Sequence, residues 1–362
     1  MIKNIQVLRA VAALLVVFDH WAALYGGLLQ RIGATGAVGV DIFFVISGFV
    51  MIHATAGLPV SPERFAASRI IRIVPLYWTF TIGLFLGASI APGIFRSTTT
   101  DLEPLLKSLL FVPYPANPPN VAQRGAVSPV LFTGWTLNYE MFFYAIFSLS
   151  LFLRNVFWQR VAVLAALCLL VLVGIIFQSA GFVAKFYTAS LLLEFGYGIL
   201  LGMFAERWIR LVPNRGVGWL FVIVGFSSLL AITSYFPASS RGYVLGPFAL
   251  LTVFGVVVLE RQGVVVRSRL WLLLGAASYA VYLVHLLSTV LVVKALSRLP
   301  KGPETVALCG VATLIVAASA GVAIHLWYER PLGRWLHARL PARINRGLGQ
   351  SAGPVVTRFP AK

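Results

Sequence analysis

Apolar residues run through this chain in long blocks, and polar positions arrive in clusters between them. A membrane span needs about 20 predominantly apolar residues. Ten stretches meet that measure: residues 5–25, 37–56, 73–91, 131–153, 161–177, 186–204, 216–236, 242–259, 270–293 and 306–328. Blocks of this length predict helices, because hydrocarbon offers no water to satisfy an open backbone. The expected fold is all-α, a polytopic membrane protein with about ten transmembrane helices. An even number of crossings puts both termini on one side. Of the 29 Lys and Arg residues, 20 fall on that side and nine on the other, so the positive-inside rule makes both termini cytoplasmic.

Composition agrees with this pattern. The 362 residues are 59% hydrophobic and 11% charged, with a mean hydropathy of +0.89, whereas a soluble domain carries about 25% charged residues. The net charge of +18 does not point to nucleic acid, which needs basic residues gathered on a solvated face; here they punctuate apolar segments. Cys168 and Cys309 sit inside apolar runs and are expected to be core thiols. The first block follows Lys3 as a signal peptide would, but Arg9, Asp19 and His20 interrupt it and no small-residue cleavage site follows, so it is expected to stay on the protein.

The connection 92–130 contains "FVPYPANPPN", a long Pro-rich loop of the kind that forms lids or binding surfaces. No internal repeat and no inverted halves are seen, which disfavours the common transporter architectures. Residues 1–332 are expected to form the membrane domain. Residues 333–362 read as a flexible, basic cytoplasmic tail near anionic lipid headgroups.

Ionisable residues inside spans are costly and mark function by default. The first span, "NIQVLRAVAALLVVFDHWAALY", holds three. Arg9 and His20 are 11 positions apart, which at 3.6 residues per turn leaves them only about 20° apart on one face and about 16 Å apart along the axis. Arg9 then sits near the cytoplasmic surface and His20 in the outer half. A phosphate-binding cation and a proton-handling group so placed suit a long, thin cofactor. The plainer alternative is that Arg9 snorkels to headgroups and His20 bonds a neighbouring helix. Asp19 is rotated about 100° from His20 and faces elsewhere.

The second span, "GVGVDIFFVISGFVMIHATA", carries Asp41 about 6 Å deep, while His20 lies about 8 Å deep. A carboxylate in that layer would orient the imidazole and keep it basic. In "SPERFAASRIIRIVPLYW", Ser61 caps a helix with Pro62 at its first position. Arg69 and Arg72 then stand one turn apart, either as a phosphate grip or as a positive-inside anchor. "GWTLNYEMFFY" places Glu140 about 13 Å below the outer surface, with Tyr144 one turn on, and "LLLEFGYG" places Glu194 about 12 Å down. Each carboxyl is a proton relay, a hydrogen-bonding brace between helices or a protonated structural carboxyl, and the brace is the default for either alone. "SYAVYLVH" sets Ser278, Tyr282 and His285 near one face, with His285 about 22 Å from the cytoplasmic end, the depth of His20. No metal site is expected, since no two-His helical spacing occurs.

Together these segments resemble the acyltransferase-3 family of membrane O-acyltransferases. The resemblance rests on "LRAVAALLVVFDH", "GVDIFFVISGF", "RIIRIVPLYW", "WTLNYEMFFY", "SYAVYLVH" and "YERP", in register along nearly the whole chain. The start "IQVLRA" is most similar to bacterial exopolysaccharide acetyltransferases within that family. The resemblance implies a cytoplasmic acyl donor, usually acetyl-CoA, and an acceptor hydroxyl on a glycan or lipid-linked oligosaccharide at the far face of a bacterial inner membrane. It makes His20 the catalytic histidine and gives Arg9, Arg69 and Arg72 the donor's phosphates. Asp41 and then Glu140 are the candidate carboxylates behind His20; Asp19, Tyr144, Ser278, Tyr282 and His285 are candidate supporting groups. The alternative from another class is a proton-coupled transporter or flippase in which His20, Asp41 and Glu140 relay protons.

Overall fold

The structure, a computed structural model, describes residues 2–56, 60–93, 98–115, 129–177, 181–236, 238–300 and 302–341. In chain order its helices are α1 (Lys3–Ala22), α2 (Gly27–Gly33), α3 (Val38–Ala54), α4 (Pro62–Ile90), α5 (Leu102–Leu109), α6 (Gly134–Ser150), α7 (Val156–Ile176), α8 (Phe182–Tyr187), α9 (Leu192–Ile209), α10 (Arg215–Ile232), α11 (Arg241–Val244), α12 (Gly246–Arg261), α13 (Arg269–Ala276), α14 (Ser278–Ala295), α15 (Pro303–Ile324) and α16 (Arg330–Ala338). Short 3-10 turns occupy Ala34–Ala37 and Ala238–Ser240, and His325–Glu329 forms a π-turn. No strand occurs among the described elements.

Among the described residues, eight helical stretches are long and apolar enough to cross a membrane, and the chain is an all-α, multi-pass membrane protein. The other two predicted spans are helical but shorter. Stretch 131–153 contributes the 17 residues of α6, and stretch 242–259 contributes the 16 of α12. At 1.5 Å per residue these cover only about 25 Å of an apolar layer about 30 Å thick. Pro247 explains the second case: it enters at the first turn of α12 and separates it from α11. The predicted loop 92–130 contains α5; residues 94–97 and 116–128 lie outside the described set. Residue 333, where the tail was expected to begin, falls within α16, and residues 342–362 lie outside the described set. Cys309 is buried, but Cys168 is exposed on α7, on an apolar surface that suits contact with lipid rather than core packing.

The chain divides into two compact units, Met1–Pro59 with Leu193–Lys362, and Val60–Leu192. In the first, α1 is central and is packed by α2, α3, α12, α13, α14, α15 and the 34–37 turn. Small residues let the backbones close in. A Cβ on Gly39 would fall 2.3 Å from the Ala12 carbonyl oxygen, and one on Gly275 2.0 Å from that of Gln6. The apolar core of this unit runs through Ile5, Leu8, Ala12, Ile42, Val45, Phe49, Val253 and Val257. The open N-terminus of α1 is capped from outside itself. Lys3 and Asn4 backbone N–H groups donate to the two Glu260 carboxylate oxygens at 2.9 and 2.6 Å, satisfying orphan donors and placing an anion at the positive end of the helix.

In the second unit, Ser61 accepts from the Arg64 N–H at 3.3 Å, with Pro62 at the first turn of α4. Pro75 is tolerated within α4, and the Thr79 hydroxyl donates back to its carbonyl. Ser108 is a junction. Its backbone carbonyl accepts from the buried Tyr77 hydroxyl at 3.2 Å, and its own hydroxyl oxygen accepts from the Val130 N–H at 3.0 Å. The Ser148 hydroxyl on α6 donates to the Pro62 carbonyl at the start of α4, at 3.0 Å.

Candidate active site

In the first unit His20 and His285 meet edge to face, with ring centroids 4.9 Å apart and planes at 67°. The depth match expected from sequence thus corresponds to ring contact. Each imidazole turns Nδ1 to a carbonyl of its own helix: His20 to Val16 at 2.9 Å and His285 to Tyr282 at 2.7 Å. A carbonyl oxygen can only accept, so Nδ1 carries the hydrogen and Nε2 keeps the lone pair in each neutral ring. His285 is fully buried, and its Nε2 has no hydrogen-bond partner among the described residues. His20 is half-buried. Each neutral ring therefore keeps its basic lone pair on Nε2, and His20 packs edge to face against a second, fully buried imidazole. Tyr282 lies on the same side of α14, its ring 5.8 Å from His285. Ser278, at the start of α14, is fully buried, and its hydroxyl has no partner among the described residues.

Asp41 has a partner that the sequence did not announce. Its carboxylate is fully buried and is gripped by Arg241, whose Nε donates to Oδ1 at 3.2 Å and whose Nη2 donates to Oδ2. The same Nη2 reaches the Ala37 carbonyl at 3.0 Å. A buried carboxylate needs such a cation, because an unpaired charge there costs several kcal/mol. Burial works against charge on Arg241, but Asp41, with smaller contributions from Glu194 and Asp19, more than offsets it and holds the guanidinium protonated. Glu194, fully buried on α9, lies within electrostatic reach of both. Asp19 is half-buried on α1, its Cβ 3.1 Å from where a Cβ on Gly36 would stand. Arg9 is half-buried on α1, three turns before His20.

The second unit gathers a different set. Arg69 lies over the rings of Phe65 and Tyr144, at 5.5 and 5.8 Å from their centroids, and its Nε donates to Ser68 Oγ at 3.2 Å. The Tyr144 hydroxyl donates to Glu140 Oε1 at 2.5 Å. Glu140, Tyr144 and Arg69 thus form one cluster on α4 and α6, held by aromatic stacking and a charge-assisted hydrogen bond. Arg72, one turn on, is exposed. A guanidinium fixed beside a second, open one is suited to phosphate.

Sequence reasoning misses two of these residues, Arg241 and Glu260. For Arg241 a signal existed: it directly precedes an apolar block at the same end as Asp41. For Glu260 no local pattern tells that it caps a helix more than 250 residues earlier.

The profile of the family described as acyltransferase domain matches residues 2–322. The exopolysaccharide production protein ExoZ of Rhizobium meliloti (strain 1021) is 38% identical over 320 residues, covering 88% of this chain and 95% of that protein. The acyltransferase MdmB of Streptomyces mycarofaciens is 25% identical over 373 residues, covering 92% and 90% respectively. No solved structure matches the chain. With the profile spanning most of its length over a multi-pass helical fold, the chain belongs to the acyltransferase-3 family of membrane acyltransferases.

Proposed function

We propose that this protein is an O-acyltransferase of the bacterial inner membrane. It moves an acyl group, acetyl in the first instance, from cytoplasmic acyl-CoA to a hydroxyl of an exported polysaccharide or its lipid-linked precursor. The observation that carries this is the His20–His285 pair, a tautomerically fixed imidazole base within a chain of an acyltransferase family. Similarity to an exopolysaccharide production protein supports the glycan acceptor. The excess of Lys and Arg on the terminal side supports cytoplasmic termini and a donor that approaches from the Arg9 end of α1.

In this reading Arg9, Arg69 and Arg72 take the donor's phosphates. The acceptor hydroxyl gives its proton to His20 Nε2 as its oxygen attacks the thioester carbonyl. The carbon–sulfur bond breaks, the new ester leaves with the glycan, and the coenzyme A thiolate recovers a proton from the imidazolium. Asp41 and Glu140 remain the candidate carboxylates. With Nδ1 bonded to the Val16 carbonyl and Nε2 taken by the acceptor, they act on the imidazolium through their charge and not as hydrogen-bond partners of the ring, Asp41 first because it belongs to the unit that carries His20. General-base catalysis of this kind is worth about 10² to 10⁴ in rate.

The test is the ester-linked acetyl content of surface polysaccharide from cells with and without the gene. Loss on deletion and return on complementation is the expected result. Unchanged acylation, with altered export of an unmodified solute instead, would replace the enzyme with the transporter.

A further inference from the structure

Residues 33–41 cross α1 with almost no space between backbones. A Cβ on Gly33 would stand 2.2 Å from Ala22 Cβ, one on Gly36 2.1 Å from the Leu15 carbonyl oxygen, and one on Gly39 2.3 Å from that of Ala12. The stretch of α1 covered by this seam, residues 12–22, is the stretch that carries His20. Arg241, two hundred residues away in sequence, holds the second half of the seam. It holds Asp41 through two nitrogens and the Ala37 carbonyl through one of them. The guanidinium is mostly buried and its partner wholly so, with side-chain exposures of 18% and 0%. Only a planar fork can make these contacts together; a lysine ammonium reaches one carboxylate as a point charge.

We propose that Arg241 is a positioning residue for acyl transfer. It ties the segment 36–41, which packs against α1 through Gly36 and Gly39, to α11, and thereby holds the His20 ring at its contact with His285. Arg241 has no direct role toward donor or acceptor. The inference rests on the reading of His20 as the base. It gives Asp41 a first task as the anchor of the clamp.

The test uses full-length protein in native membranes, with Arg241→Lys, which keeps the charge, and the neutral pair Asp41→Asn with Arg241→Gln, which removes the buried charges altogether. Transfer from labelled acetyl-CoA to the cells' own polysaccharide is measured across donor concentrations at equal protein abundance. A misplacement of about 1 Å costs about 10²-fold. Arg241→Lys is therefore expected to lower kcat by about that factor, with KM for acetyl-CoA changed less than about twofold, and the neutral pair to be no better. In parallel, backbone hydrogen exchange in residues 15–22 and 34–41 is expected to quicken in both variants. Normal kcat in Arg241→Lys, or full recovery in the neutral pair, overturns the proposal by reducing Arg241 to charge compensation. If the unaltered protein transfers no acetyl group, the enzymatic reading fails, and hydrogen exchange still judges the clamp: unchanged exchange in both variants overturns it.

Discussion

Helices α3 and α9 cross with backbone against backbone, which makes Gly48→Ala a sharp test of the packing. A Cβ on Gly48 would lie 2.1 Å from the Phe195 carbonyl oxygen and 3.1 Å from Gly198 Cα; one on Gly198 would lie 2.1 Å from the Val45 carbonyl oxygen. Close carbon–oxygen approaches stop at about 3.3 Å, so the two helices must part by about 1 Å. A gap of that size forfeits about a quarter to a half of the local dispersion energy. The Phe44–Phe195 stack, with centroids 4.5 Å apart and planes at 27°, sits at this crossing. Backbone cannot escape by changing rotamer, so the cost belongs at the upper end of overpacking, about 3 kcal/mol. Gly83 on α4 is the control, because a Cβ there meets nothing within 4 Å. Gly83→Ala removes a glycine from an exposed helical position and should stabilise by up to about 1 kcal/mol. Both variants are to be purified in one detergent and unfolded by heat while tryptophan fluorescence is followed. Tm is expected to fall for Gly48→Ala and to hold or rise for Gly83→Ala. A Gly48→Ala protein that unfolds at or above the wild-type temperature would refute the packing geometry.

Two further changes test separate parts of the account. Glu260→Gln removes the charge from the cap on α1 while keeping one acceptor. It should cost about 1–2 kcal/mol, the difference between charged and neutral hydrogen bonds at a partly buried site, and speed hydrogen exchange at residues 3–6; wild-type thermal stability with unchanged exchange would show that the cap is idle. Arg69→Lys loses the flat stacking over Phe65 and Tyr144 and the fork that matches phosphate. KM for acetyl-CoA should rise about ten- to a hundredfold, the worth of a charge-assisted hydrogen bond; an unchanged KM would remove Arg69 from donor binding.

The helical, membrane-spanning character was legible because it depends only on block length and hydropathy, which a single sequence displays. The count of full spans was less so, since a proline such as Pro247 acts on geometry while leaving the hydropathy of its block untouched. The polar residues were legible as candidates because hydrocarbon penalises each one. Depth counting along a straight helix was enough to bring His20 and His285 to one layer, and the ring contact lies there. What depth could not supply was rotation and partner. Asp41 was expected beside His20, but its ion pair is with Arg241, a residue that follows directly on the 3-10 turn Ala238–Ser240. Glu140 with Tyr144 was readable from the i, i+4 spacing on one helix. The Glu260 cap joins segments far apart in sequence and was beyond any local pattern.

The central claim is that His20 is the base for acyl transfer. The most direct measurement compares membranes holding equal amounts of wild-type protein or His20→Ala, supplied with labelled acetyl-CoA, for label that appears as ester on polysaccharide. The account predicts transfer lowered by about 10² to 10⁴ in a variant that remains inserted and folded. Transfer at the wild-type rate would contradict it.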